Sequence, residues 1–346
     1  MKRKYLILIP ILILFIISII YLPNSFKIKQ TIWVILSLIT LFILTRFKFK
    51  KILKYSEIIY IISLLLLIIV LVLNNFTNGS RGWINIGFIS FQPSELMKIA
   101  LILISIKHKD KLNIWLFLSL YIIPMLLIFL EPDTGAVIQD GIILIYFLFQ
   151  KLNKKQLIHL FIIASILISS LLIIYFYKKD ILIKILGTQM FYRIDRIKSF
   201  TDNNNLQTTN ALISIATNNT LYFPEMFNDF FIAYILSKNI YLIIPIILST
   251  ITILILLANK NTLISQAVFY IFLWQFWWNL AMNLSLVPVI GIPYPFLSYG
   301  GTHIFTSIIL ISLIIISKDD IHNYIHNRNH KDKDHNYNKV VEQTQV

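Results

Sequence analysis

Ten apolar runs, at residues 5–22, 31–47, 56–75, 94–106, 112–130, 134–150, 156–177, 229–258, 263–287 and 299–317, fill most of this chain. No other feature restricts its fold so severely. A helix needs about 20 apolar residues to cross the hydrocarbon core of a bilayer, and most of the runs approach that length. Every backbone amide inside lipid must find its partner within the protein, which leaves only helices and closed barrels. The two-residue alternation of barrel strands is absent, so the runs predict an all-α integral membrane protein of about ten transmembrane helices. With 57% of 346 residues hydrophobic and 14% charged, a water-soluble domain could not cover so much apolar surface. The run at 94–106 is short, and that at 229–258 is long enough to hold a broken or re-entrant portion. Lysines and an arginine precede the first run as in a signal peptide, but no small-residue cleavage site follows Ile20, which predicts an uncleaved helix.

Connector charge orients the bundle, because lysine and arginine concentrate on the cytoplasmic side of membrane proteins. With the N-terminus inside, the inner connectors and tail hold 20 of these residues and the outer ones 9. Both termini are therefore predicted to be cytoplasmic. The membrane domain covers 1–317, with a large outer loop at 178–228 between the seventh and eighth helices, and 318–346 forms a polar, disordered tail. The net charge of +15 then describes a rim facing anionic membrane lipids, and no nucleic-acid partner is expected. The four tail histidines belong to that disordered segment and not to a metal site. The absence of cysteine excludes disulfides and thiol catalysis.

Sorted by side, the unusual residues all fall on the predicted outer face. They lie in "RGWINIGFISFQPSELMKIA" (81–100), "LEPDTGAVIQD" (130–140), "YRIDRI" (192–197), "PEMFNDFFIA" (224–233) and "GIPYPFLSYGG" (291–301). The inner connectors contain no phosphate-binding loop, zinc spacing or nucleotide motif, so any chemistry is seated at the outer leaflet. Glu95 and Lys98, three apart, share one helix face; ionisable residues inside a membrane are functional by default, although such a pair can simply neutralise itself. Pro93 suits the first helical turn and Ser94 assists its start. Asp229 precedes an apolar run, where an aspartate is a good N-cap. Asp133 is placed to cap the sixth span. Asp140, seven residues on, shares its face and has no evident partner.

These motifs, in this order, resemble the SEDS family of RodA, FtsW and SpoVE, polytopic glycan polymerases of bacterial cell-wall synthesis. The likeness spans residues 79–301. It implies an inverting peptidoglycan glycosyltransferase in the bacterial inner membrane that uses lipid II. A class B penicillin-binding protein, a transpeptidase, is the implied partner. The pyrophosphate leaving group is compatible with a divalent cation such as Mg, for which no ligand set is legible. By the resemblance, Asp229 matches the family's essential acid and is the catalytic residue. Glu95, Lys98, Arg81, Trp83, Arg196 and Glu225 would bind substrate. Pro93, Ser94, Asp133, Gly135, Ser298, Tyr299, Gly300 and Gly301 would shape the backbone.

The "PDTGA" and "GIPYPF" stretches lean toward the elongation type, RodA, over the division type, FtsW. Two departures stand out. His303 occupies a position where a small hydroxyl residue is usual, and the interval between Thr209 and Pro224, with "ALISIATNNTLYF", lacks the family's glycine-rich stretch. The second departure keeps a non-catalytic scaffold in play. A lipid II flippase is the other alternative, disfavoured because polar residues cluster on one face. The sequence leaves 201–220 open between a surface helix and a mobile loop.

Overall fold

The computed structural model describes residues 5–73, 82–86, 89–177, 206–220 and 229–317. Among these residues the fold is a helical bundle with one two-stranded sheet and no barrel. In chain order the helices are α1 (Leu8–Tyr21), α2 (Asn24–Leu44), α3 (Phe49–Lys54), α4 (Ser56–Leu73), α5 (Pro93–His108), α6 (Ile114–Leu130), α7 (Thr134–Lys151), α8 (Lys154–Tyr177), α9 (Leu206–Thr217), α10 (Phe231–Lys238), α11 (Ile243–Ala258), α12 (Leu263–Asn283) and α13 (Gly301–Ser317). Each of the ten apolar runs thus holds a helix. By length and composition, three stretches among the described residues are suited to crossing a membrane: α2, α4 and residues 240–258.

The bundle is apolar outside and polar in places within. Val72, Phe161 and Trp115 are 78%, 73% and 70% exposed, while Gln30, Asp140, Gln275 and Asn279 are buried. That inversion is stable only where the outer surface meets lipid. Helix α5 explains the short run at 94–106. It is buried along residues 97–105 and wrapped by α4, α6, α7 and α12, so its surroundings are protein and polar residues on it need not face lipid.

Local chemistry accounts for the helix boundaries. In α6, Pro124 has no amide to give the Leu120 carbonyl, and the Tyr60 hydroxyl of α4 donates to that oxygen at 2.9 Å instead. The long run at 229–258 is broken: α10 ends at Asn239, whose extended backbone leads into a short 3-10 turn over Ile240–Leu242. Its side chain accepts the Tyr241 amide and starts that turn. Helix α2 begins at Asn24, seven residues before the apolar run, because Pro23 sets the entry and the polar first turns are still helical. A two-stranded antiparallel hairpin, β1 (Ile84–Ile86) and β2 (Ile89–Phe91), stands before α5 and pairs Ile84 with Phe91. Residues 206–217 form a helix that docks inward, with Ala211 packed on Phe230, Ala233, Met282 and Val289.

At the opposite end, Lys107 and His108 meet Glu57 at 2.5 and 2.7 Å. There Lys151 also donates to the carbonyls of Lys109 and Leu112, fastening the α5–α6 connector to α7.

Candidate active site

The N-terminus of α5 carries the first cluster. Gln92 is extended, Pro93 occupies the first turn and Glu95 follows in the same turn, where the helix dipole favours a negative charge. The Glu95 carboxylate is buried and accepts from Lys98 Nζ at 2.9 Å and from Thr306 Oγ1 of α13 at 2.6 Å. His303 Nδ1 lies 3.4 Å from the same carboxylate oxygen that Lys98 holds. His303, out of pattern in the sequence, is therefore a third neighbour of the Glu95 charge. The arrangement ties α5 to α13 by hydrogen bonds to a charged group in a buried, low-dielectric region.

Asp140 is different. It is fully buried on α7, and neither carboxylate oxygen has a hydrogen-bond partner among the described residues. Lys98 is the positive charge that bears on it. Ser94 is likewise buried with its hydroxyl unpartnered among the described residues.

The second cluster joins the motifs at one end of the bundle. Asp133 is the N-cap of α7: its Oδ1 accepts the Ala136 amide at 3.0 Å, and its Oδ2 accepts from Gln92 at 2.6 Å. One carboxylate thus starts α7 and holds the residue that opens α5. A Cβ on Gly135 would stand 3.1 Å from the Ile290 carbonyl oxygen, so glycine allows α7 to lie against 290–292. Gly291 has φ +68°, the left-handed region that glycine adopts without strain. A Cβ built on it would be 3.9 Å from Asp229 Oδ1. The 290–292 segment therefore lies between Gly135 on one side and Asp229 on the other.

Asp229 is half-buried and stands one residue before Phe230, the N-cap of α10. It is not itself the capping residue. Asn283, from α12, accepts the Ala233 amide at 2.9 Å and so caps α10 from a neighbouring helix. Beside Asp133, Glu131 is fully buried with both oxygens unpartnered among the described residues. Burial first, and the Asp133 charge second, push its carboxyl up to about 8.

The 294–301 turn closes the same end. Tyr294 donates its amide to Ser298 Oγ at 2.9 Å, and Ser298 returns its amide to the Tyr294 carbonyl at 3.0 Å. Tyr299 packs edge-on against Phe26, and the Gly300 amide donates to Gln30 of α2 at 3.5 Å. Gly301 lies directly under the Trp33 ring, leaving no space for a side chain. Thr302 donates to the Ser90 carbonyl at 3.0 Å, which anchors the hairpin to α13. Trp83, half-buried, enters that hairpin. Arg81, Arg196 and Glu225, expected at the substrate, lie outside the described residues, as do the tail at 318–346 and most of the 178–228 loop.

Thr306, Gln92, Asn279 and Asn283 were not singled out from the sequence. For the two asparagines a signal existed: amides four apart within an apolar run at 263–287, where polar residues need a reason.

Comparisons with known proteins agree with this architecture. The model of a family described as "Cell cycle protein" (FTSW_RODA_SPOVE) matches residues 4–321. The "Probable peptidoglycan glycosyltransferase FtsW" of Wigglesworthia glossinidia brevipalpis is 29% identical over 329 residues, covering 84% of this chain and 82% of the relative. Its namesake from Coxiella burnetii is 28% identical over 335 residues, covering 85% and 86%. A solved chain described under "Structural coordination of polymerization and crosslinking by a peptidoglycan synthase complex" superposes with a TM-score of 0.74. It shares 19% identity over 91% of this chain and 97% of that one. The rod shape determining protein RodA of Thermus thermophilus gives 0.64 at 18% identity, over 91% and 96%. At such identity these two structures speak for the fold. With the described parts of its motifs gathered at one end of the bundle and the family model matching nearly its full length, the chain belongs to the FtsW/RodA/SpoVE family.

Proposed function

We propose that this chain is a peptidoglycan glycosyltransferase that extends glycan strands from lipid II at the outer leaflet of the bacterial inner membrane. One observation carries the reading: Asp229, half-buried, stands beside the Gly291 turn at the end of the bundle where the family motifs meet. A carboxylate there can act as general base for the sugar hydroxyl that attacks the pyrophosphate-linked carbon. Lys98, with Glu95 as counter-ion, and the arginines Arg81 and Arg196 supply positive charge for the pyrophosphate. Trp83 and Glu225 would line the groove, and a class B penicillin-binding protein would sit alongside. The excess of lysine and arginine in the alternate connectors supports an outward-facing site with both termini inside.

The names of the relatives favour the division-type role, and we adopt it over the elongation role that "PDTGA" and "GIPYPF" suggest. Purified protein with its partner and labelled lipid II should give glycan ladders, and Asp229→Asn should abolish them with the protein still inserted. Ladders from Asp229→Asn at the wild-type rate would remove Asp229 as the base. Restoring division, and not rod shape, in cells depleted of the native enzyme would fix the role.

A further inference from the structure

Two buried asparagines on α12 reach across to the backbone around Asp229. Asn283 Nδ2 donates to the Asp229 carbonyl at 3.3 Å, and its Oδ1 accepts the Ala233 amide at 2.9 Å. Asn279 Nδ2 donates to the Ile292 carbonyl at 2.6 Å and lies 3.5 Å from the Asp229 carbonyl. Asn283 Nδ2 also donates to Asn279, at 2.8 Å to its carbonyl and 3.2 Å to Oδ1, so the two amides brace each other. They are 0% and 1% exposed. An unpaired amide buried at this depth is costly, so each bond fixes the geometry of what it touches.

We infer that Asn279 and Asn283 are positioning residues for Asp229. They clamp the start of α10 and the 290–292 segment onto one rigid helix, and thereby set where the Asp229 carboxylate stands relative to the Gly291 turn. The inference rests on Asp229 being the base of the proposed reaction. Neither asparagine touches the reacting atoms; each acts through the backbone. A helix platform of this kind holds a reactive group more sharply than a loop, and an error of about 1 Å in such placement costs on the order of a hundredfold in rate.

The test separates positioning from folding and from the polymerase reading. The chain has no cysteine, so Asp229→Cys offers a single thiol whose reaction with N-ethylmaleimide reports the local environment. Adding Asn279→Ala to Asp229→Cys, which spares the α10 cap and brings no charge beside the thiol, should speed labelling at least fivefold. Equal labelling rates, within twofold, overturn the inference whatever the enzyme assay shows. In the lipid II assay, the uncharged change Asn279→Ala with Asp229 intact should lower kcat at least tenfold while KM stays within threefold and the melting temperature holds. A kcat within twofold of wild type, or a joint collapse of kcat, KM and melting temperature, also overturns it. Ladders persisting in Asp229→Asn would instead count against the catalytic reading, and the labelling rates would still decide whether the asparagines set the position of residue 229.

Discussion

Two buried carboxylates on neighbouring helices, α5 and α7, show how much depends on partners. Glu95 holds Lys98 and Thr306, with His303 adjacent, whereas Asp140 has no hydrogen bond among the described residues. Desolvating a carboxylate without such bonds is strongly unfavourable. Replacement by an apolar side chain of similar shape, Asp140→Leu, should therefore stabilise the protein by about 1–3 kcal/mol, the usual penalty for an unsatisfied buried group. Denaturation in detergent would measure it, and a loss of stability would mean that Lys98 depends on the Asp140 charge. Glu131 yields a pH prediction. Its carboxyl is raised from 4.5 to about 8, so the folded state binds the proton more tightly than the unfolded chain. Stability is then full below about 4.5 and declines as pH rises through 8, each pKa unit being worth about 1.4 kcal/mol. Melting curves between pH 5 and 9 should show that decline in the wild type and a flatter profile in Glu131→Gln.

Among the elements, contact between helices is set by the smallest residue at each crossing. The Trp33 ring of α2 occupies the space above Gly301, the first residue of α13, where even a methyl group would collide. Gly301→Ala is expected to cost about 1–3 kcal/mol, as overpacking commonly does. In a Trp33→Leu background the same change should cost less, giving a coupling of about 0.5 kcal/mol or more in a double-mutant cycle. Additive effects would place the ring elsewhere. The fastening between α5 and α7 is of another kind. Asp133 serves both helices with its two oxygens, so the "QPSE" and "PDTG" stretches, separate in sequence, form one structural unit. The helix of each run was legible in the sequence, because hydropathy acts locally. From its length alone the 229–258 run could be broken, but the position of the break at Asn239 was not legible. Nor were the docked helix at 206–217 and the 84–91 hairpin. These short segments gain stability from neighbours distant in the chain.

For the whole molecule, the proposed polymerisation of an exported substrate requires a site that opens outward. Cysteines introduced at Asn78, Ser199 and Asn218 should react with an impermeant maleimide on intact spheroplasts. Cysteines at Lys50, Lys109 and Lys154 should react only after the membrane is opened. The cysteine-free chain gives no background. Labelling of Lys109→Cys from outside would invert the α5–α6 connector and with it the face on which Asp229 stands.

The sequence alone determined the solvent this chain lives in, the helix in each apolar run and the residues of unusual type. Lipid imposes those through length and polarity along a single stretch, which can be read one segment at a time. The tertiary structure decided the partnerships. Nothing near Glu95 announces Thr306, 211 positions away, and nothing near Asp229 announces Asn283, 54 positions on. Burial also separates residues that look alike in sequence: Asp133 spends both oxygens on named donors, whereas Asp140, on the same helix, is enclosed without one. A buried polar group must be satisfied by whatever the packing of helices brings to it, and that packing is a property of the whole bundle.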